Sequence, residues 1–398
     1  MHYAAILGFG TVGSGVAEAL SIDADALNRK TDGITLKYIV DVRDFPDSPF
    51  AGLMTKDFST VENDPDVDMV VETIGGVGIA REFTRRALAA GKSVITSNKE
   101  LVATHGCELM ALAEEHGVSY LFEASVGGGI PMLRTIAYNL GAEKITEFFG
   151  ILNGTTNYIL TQMFRNGMSF SAALARAKEL GYSEADPTAD IDGIDACRKV
   201  AILCSIITGW QMPPEKISVE GISGVSVEDV EFAASMGCTI RLLGHAFFER
   251  DGRVRACVAP HLIPAKYLLS GVEDVMNGLH VRAEALGDMM LYGAGAGKLP
   301  TASAIVSDMF CLAGDRRDGA AFAWGPTEEE RCGSASDLPF AWYVRMAPAE
   351  GWEEKQTGLH LFAQKDGKYG YYTDEMTEEA LLYKFAGQVI LSRFRIIR

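Results

Sequence analysis

Short apolar runs alternate with amphipathic stretches over the first third of the chain. Tyr3–Leu7, Leu36–Val40, Met69–Glu72, Ser93–Thr96 and Tyr120–Phe122 read as strands. Val12–Leu20, Glu82–Ala90 and Glu108–His116 lie among them with helical spacing. This alternation predicts a parallel, doubly wound sheet. The rhythm breaks at Glu123–Pro131, EASVGGGIP, where three glycines and a proline end regular structure. A strand is expected at Ile145–Leu152, followed by a turn signal at Asn153-Gly154. Helical spacing covers Asn157–Arg165 and Ser171–Leu180. Gly181–Asp192 is a polar loop that leads into a helix over Gly193–Thr208. Val254–Leu262 is strand-like, Leu286–Lys298 is glycine-rich, and Pro300–Leu312 is helical. Ala313–Leu338 reads as a linker and Phe340–Arg398 as a small α/β tail.

Composition narrows this picture. The 398 residues are enough for two or three domains, and 48% apolar with 22% charged residues is ordinary for a globular chain. A net charge of −17 argues against nucleic acid and anionic membranes as partners. No apolar run reaches the ~18 residues of a membrane span. The first strand starts almost at once, without the basic head of a signal peptide. Seven cysteines with no Cys-x-x-Cys pair read as reduced thiols in a cytoplasmic protein.

Gly8-Phe9-Gly10-Thr11-Val12-Gly13 follows a strand and opens a helix. In that context Gly8 permits a tight turn and Gly10 lets a pyrophosphate approach the backbone. Gly13 lets helix and strand pack closely. The bland alternative is a tight turn that binds nothing. The second strand ends at Val40-Asp41-Val42-Arg43-Asp44. A carboxylate there suits the ribose of NAD, and an arginine suits the 2′-phosphate of NADP, so the choice stays open. Glu72-Thr73 and Ser97-Asn98-Lys99-Glu100 stand at other strand ends, where ligands bind in open sheets. The glycine-rich loop Glu123–Pro131 is either a hinge or a wrap of carbonyls around a hard cation. Gly293–Thr301, GAGAGKLPT, is either a connector or a close approach to a ligand.

The densest chemistry lies in Gly181–Lys199, GYSEADPTADIDGIDACRK, with five carboxylates and two cations. Asp195 and Lys199 are four apart and share a helix face that adjoins an apolar run. Asp195 would hold the lysine charged while burial works against that charge, which suits a group that polarises a carbonyl and exchanges a proton. An ordinary helix salt bridge is the competing reading.

These motifs together resemble the homoserine dehydrogenase family. The matching pieces are GFGTVG (Gly8–Gly13), SNKE (Ser97–Glu100), EASVGGGIP, NGTTNYIL (Asn153–Leu160), GYSEADPTADIDGIDACRKVAIL (Gly181–Leu203) and GAGAGKLPTASAIVSD (Gly293–Asp308). The resemblance covers the chain to about Asp308. It implies NAD(P)-dependent interconversion of L-homoserine and L-aspartate 4-semialdehyde on the route to threonine and methionine. It implies an α/β fold: a Rossmann-type domain over 1–130, with a return helix over 300–320, then an α+β catalytic and dimerisation domain over 131–299. Lys199 would be the acid/base, held by Asp195, and Lys99, near the nicotinamide, would either assist proton transfer or position substrate. Gly181, Glu184, Asp190 and Asp195 would bind substrate. Cofactor contacts would include Phe9, Thr11, Val12, Arg43, Thr73, Lys99 and the Gly295–Gly297 segment. Sodium would be held by Glu123, Val126, Gly128 and Ile130. A homodimer or homotetramer is expected. Residues 338–398 would be a truncated ACT-like region. Phe340–Met346 resembles its first strand, but Ala347-Pro348-Ala349-Glu350-Gly351 replaces the Asp-x-Pro-Gly turn, so threonine binding is not carried over. Two rivals are a dehydrogenase for a related amino acid or semialdehyde and a nucleotide sensor without catalysis. The joint presence of Lys99, Glu184, Asp195 and Lys199 argues against the sensor.

Overall fold

Strand β1 (His2–Leu7) is apolar at every position from Ala4 to Leu7, and all four residues are buried. A strand buried on both faces belongs inside a parallel sheet covered by helices. The computed structural model describes residues 1–22, 31–314, 322–349, 352 and 357–398. In it, β1 lies in a six-stranded sheet with β2 (Ile34–Val40), β3 (Met54–Thr55), β4 (Val67–Glu72), β5 (Ser93–Thr96) and β6 (Tyr120–Leu121). The order is β3-β2-β1-β4-β5-β6 and every pair is parallel. The chain reverses its direction of travel across the sheet between β1 and β4, the point where such sheets bind ligands. Helices α1 (Thr11–Ile22), α2 (Gly78–Ala89) and α3 (Lys99–Glu115) follow β1, β4 and β5.

Helix α3 starts well before Glu108, where the spacing placed its beginning. The Asn98 side chain caps it by accepting from Leu101 N, and Thr104-His105-Gly106 blurs an otherwise buried stripe. This sheet belongs to a unit made of Met1–Lys144, Ala201–Pro214 and Gly293–Glu328.

The second unit comprises Ile145–Val200, Glu215–Tyr292 and Glu329–Arg398. Its sheet is mixed and contains β7 (Ile145–Ile151), β8 (Ser218–Val219), β9 (Cys238–Phe248), β10 (Val254–Pro264), β11 (Met276–Ala283), β12 (Gly287–Ala294) and β13 (Cys332–Ser334). It continues through β14 (Ala341–Ala347), β15 (Leu359–Lys365), β16 (Lys368–Thr373) and β17 (Val389–Ile396). The main path runs β12-β11-β7-β9-β10-β17-β14-β16-β15. β9 and β10 form a long antiparallel hairpin, and the far edge of β10 is shared by β13, β8 and β17 in turn. Among the described residues, the other helices of seven residues or more are α4 (Gly154–Asn166), α5 (Phe170–Glu179), α6 (Ile194–Thr208), α7 (Val227–Ser235), α8 (Lys298–Ala313) and α9 (Glu378–Lys384).

β9, β11 and α7 escaped the sequence reading. Arg241, His245, Asn277 and His280 are buried in those strands, so their apolar pattern is broken by polar core residues. The first part of the glycine-rich stretch Leu286–Lys298 is strand β12. Residues 315–320 of the expected return helix lie outside the described residues, and α8 ends at Ala313. In the tail, the sheet is fastened to α7 by Asp229. Its carboxylate accepts from Arg345 Nε at 2.7 Å, from Tyr343 Oη at 3.1 Å and from Ser392. None of the seven cysteines is in a disulfide. Among the described residues, no helix is long and apolar enough to cross a membrane.

Candidate active site

At the carboxyl end of β1, Gly8 adopts φ +90°, a conformation that disfavours any side chain. Thr73, at the end of β4, locks this turn. Its N donates to Leu7 O at 2.9 Å and its Oγ1 to Gly8 O at 2.8 Å. A Cβ on Gly13 would lie 2.0 Å from Gly8 O, so only glycine lets α1 start there. A Cβ on Gly10 would meet nothing nearer than Arg43 Nη2 at 3.9 Å, which leaves that side open to a ligand. Thr11 and Val12 open α1 with their N–H groups at the helix N-terminus. Gly8, Phe9, Gly10, Thr11, Val12, Gly13, Arg43 and Thr73 are thus brought together around one strand end.

The second strand settles how its charges are used. Asp41 accepts from Phe9 N at 2.7 Å and from Arg43 Nη2 at 2.9 Å. The Arg43 hydrogen bonds hold its carboxyl well below the usual carboxylate range. The Asp41 side chain is only 5% exposed and that of Arg43 59%, so the arginine is the group presented to a ligand. Phe45 packs edge-on to Phe9 at 5.2 Å and lies under the Arg43 guanidinium at 5.1 Å.

Lys99 is half-buried at the first position of α3. The loops after β4 and β5 are tied together by Glu72, which sequence reasoning left without a role. Its carboxylate accepts from Ile74 N at 2.7 Å and from Thr96 Oγ1 at 2.6 Å, and burial raises its pKa. Glu123, Val126, Gly128 and Ile130 sit in one buried turn. Glu123 accepts from Leu133 N at 2.9 Å and Arg134 N at 2.7 Å. Burial and then the charge of Asp308 push its carboxyl up to about 7. A Cβ on Gly128 would lie 2.6 Å from the Gly295 carbonyl, so this turn abuts the segment carrying Gly295 and Gly297.

In the second unit the expected Asp195–Lys199 pair is buried, at 5% and 8% exposure. Lys199 Nζ donates to Asp195 Oδ2 at 2.7 Å and to Leu152 O at 2.6 Å. Asp190 joins through Asn153, whose Nδ2 donates to Asp190 Oδ1 at 2.7 Å and Asp195 Oδ2 at 2.9 Å. Gly181 and Glu184 lie on the exposed loop before this cluster, outside its hydrogen-bond network. Thr155 Oγ1 fastens that loop to α4 by donating to Tyr182 O at 2.7 Å. Sequence reasoning took Asn153 for a turn residue. The helix cap was legible in principle, but the contacts to residues 190 and 195 were not.

Comparison with known proteins agrees with this geometry. Residues 8–123 match the family described as homoserine dehydrogenase, NAD binding domain, and residues 131–310 match the family described as homoserine dehydrogenase. Homoserine dehydrogenase of Bacillus subtilis is 40% identical over 351 residues, spanning 86% of this chain and 80% of that protein. A solved homoserine dehydrogenase from Thiobacillus denitrificans has a TM-score of 0.87 at 33% identity, over 100% of this chain and 98% of that one. A hyperthermophilic archaeal homoserine dehydrogenase mutant, solved in complex with NADPH, has a TM-score of 0.64 at 29% identity, over 78% and 97% of the two chains. The chain therefore belongs to the homoserine dehydrogenase family.

Proposed function

We propose that this chain interconverts L-homoserine and L-aspartate 4-semialdehyde with a nicotinamide dinucleotide, in threonine and methionine biosynthesis. The observation that carries the chemistry is the buried Lys199, aimed by Asp195 and Leu152 O. The bound dinucleotide supplies or accepts the hydride. The glycine turn Gly8–Gly13 and Thr73 would hold its pyrophosphate end, with Gly295 and Gly297 as further contacts. Arg43 would meet a 2′-phosphate, and its exposure beside an inward-turned Asp41 supports NADP over NAD. Lys199 donates a proton to the carbonyl oxygen as negative charge develops there, and takes it back in the reverse direction. Glu184 and Asp190 suit the substrate ammonium, with Gly181 shaping the loop. Lys99 would assist proton transfer or position substrate.

Glu123 and the carbonyls of Val126, Gly128 and Ile130 suit a monovalent cation, sodium. A buried carboxyl whose pKa is raised supports that fit, because a cation there offsets the cost of ionising it. We divide the chain into a nucleotide-binding domain over 1–130 with the helix after Pro300, and a catalytic and dimerisation domain over 131–299. A third, ACT-like region covers 338–398. The tail order β17-β14-β16-β15, all antiparallel, supports the last reading. A cytoplasmic homodimer or homotetramer completes it, and seven cysteines without a disulfide are in keeping with a reducing compartment.

The test follows reduced-nicotinamide absorbance with purified protein, L-homoserine, and NAD+ or NADP+ in parallel. Reduction that requires homoserine, faster with NADP+, is expected. No reduction with either dinucleotide in folded protein supplied with sodium or potassium sinks the proposal and favours the related-dehydrogenase or sensor reading.

A further inference from the structure

We infer that Asn153 is a positioning residue for the reaction, because its amide sets the carboxylate that aims Lys199. The inference rests on the acid/base reading of Lys199.

Asn153 is 5% exposed, between the end of β7 and the start of α4. Its orientation is fixed from one side. Oδ1 accepts from Thr156 N at 2.8 Å and from Thr156 Oγ1 at 2.9 Å. That assigns the oxygen to the helix and turns both N–H bonds of Nδ2 toward the acidic side chains. One amide nitrogen then serves Asp190 Oδ1 and Asp195 Oδ2. The Asp195 oxygen it reaches is the same one that accepts from Lys199 Nζ. The neighbouring residue contributes the other anchor, since Leu152 O accepts from Lys199 at 2.6 Å. The dipeptide Leu152-Asn153 therefore fixes both members of the Asp195–Lys199 pair.

The residue type matters. Two carboxylates held near one atom repel each other, and a neutral group with two N–H bonds can bridge them without adding charge. A lysine or arginine there would compete with Lys199 for Asp195. A hydroxyl has a single proton and a shorter reach. A carboxylate has no donor at all. Without the amide, Asp190 and Asp195 separate, and Asp195 follows Lys199 instead of holding it.

Asn153→Ser and Asn153→Asp separate this role from helix capping, because both side chains keep an oxygen that accepts at the N-cap. In each variant kcat should fall, on the order of 10²-fold for a catalytic group displaced by an ångström. KM for homoserine should change less than kcat does. The dinucleotide Kd should hold in both variants and the melting midpoint in Asn153→Ser, whereas Asn153→Asp sets a third carboxylate beside Asp190 and Asp195 and should melt lower. The solvent deuterium isotope effect on kcat should rise, because the proton step becomes slower. Unchanged kcat in both variants overturns the inference. So does a fall in kcat in the neutral variant Asn153→Ser matched by a fall in its melting midpoint, which marks a structural role. Lys199→Ala, measured alongside, separates the two claims. Normal turnover there removes the acid/base reading and this inference with it. An inactive Lys199→Ala beside normal Asn153 variants removes only the positioning role.

Discussion

At the carboxyl end of β1 the surface offered to a ligand is mostly main chain. Gly8 turns, α1 opens, and the Thr73 and Asp41 side chains brace the turn by bonding its backbone. At the carboxyl end of β7 they come from side chains: Asn153, Asp190, Asp195 and Lys199 share one buried hydrogen-bond network. A site built of backbone is broken by adding atoms. A site built of side chains is broken by removing them. The two ends should therefore fail in different ways, and the first two predictions set deletion against addition.

Deleting the amine should have the largest effect. General acid–base groups contribute about 10²–10⁴-fold, so Lys199→Ala should lower kcat within that range while leaving the dinucleotide Kd in place. Stopped-flow single turnovers and dinucleotide fluorescence titration measure the two separately. Equal losses in both would mean that Lys199 supports the fold, and the contrast between the two strand ends would collapse.

Adding one methyl group at the other end should do the reverse. Gly13→Ala places a Cβ 2.0 Å from Gly8 O, a contact that backbone must move to relieve. Overpacking of this kind costs about 1–3 kcal/mol, equivalent to roughly tenfold to a hundredfold in dinucleotide Kd. Turnover at saturating dinucleotide should be nearly retained. A variant with normal Kd would show that the glycine turn does not set dinucleotide affinity.

Arg43→Ala sharpens the comparison, since Arg43 is a side-chain contribution at the backbone-built end. A hydrogen bond to a charged group contributes about 1.5–3 kcal/mol, so kcat/KM for NADP should fall by roughly tenfold to a hundredfold. The value for NAD should barely change. An unaltered ratio of the two would place the selector elsewhere.

The same contrast explains what could be read from sequence. Backbone-built features leave local marks. The glycines at 8, 10 and 13, the strand before them and the helix after them lie within about twenty residues, and every strand of the first sheet was legible except the two-residue edge strand β3. The Asp195–Lys199 pair was legible because its members stand one helical turn apart. Asn153 was not, because its partners are Asp190 and Asp195, far along the chain. The strands β9 and β11 were hidden for a related reason. His245 is buried against Glu147 at 2.7 Å, with its ring 5.2 Å from that of His261, so polar residues occupy positions where an alternating pattern demands apolar ones. Inward-turned Asp41 was equally out of reach, because which of two adjacent charges faces outward depends on the Phe9 amide.

The smallest expected effect concerns Glu123, a side chain set within a turn whose other oxygens are carbonyls. Burial, reinforced by Asp308, raises its pKa from an ordinary 4.5 to about 7. Below its ordinary value the carboxyl is protonated in folded and unfolded chains alike. As pH rises through that window the unfolded chain releases its proton first, so the native state loses stability, and above the raised value the loss is complete. A monovalent cation beside the carboxylate would restore part of it. Replacing sodium by a large organic cation at equal ionic strength should then lower the melting midpoint on the alkaline side, by about 2–4 °C for each kcal/mol the ion contributes. The same exchange well below the window should change nothing, and Glu123→Gln should remove the ion dependence at every pH. An ion effect of equal size on both sides of the window would be general screening of a chain carrying −17 charges, and Glu123 would be a buried acid with no ion to hold.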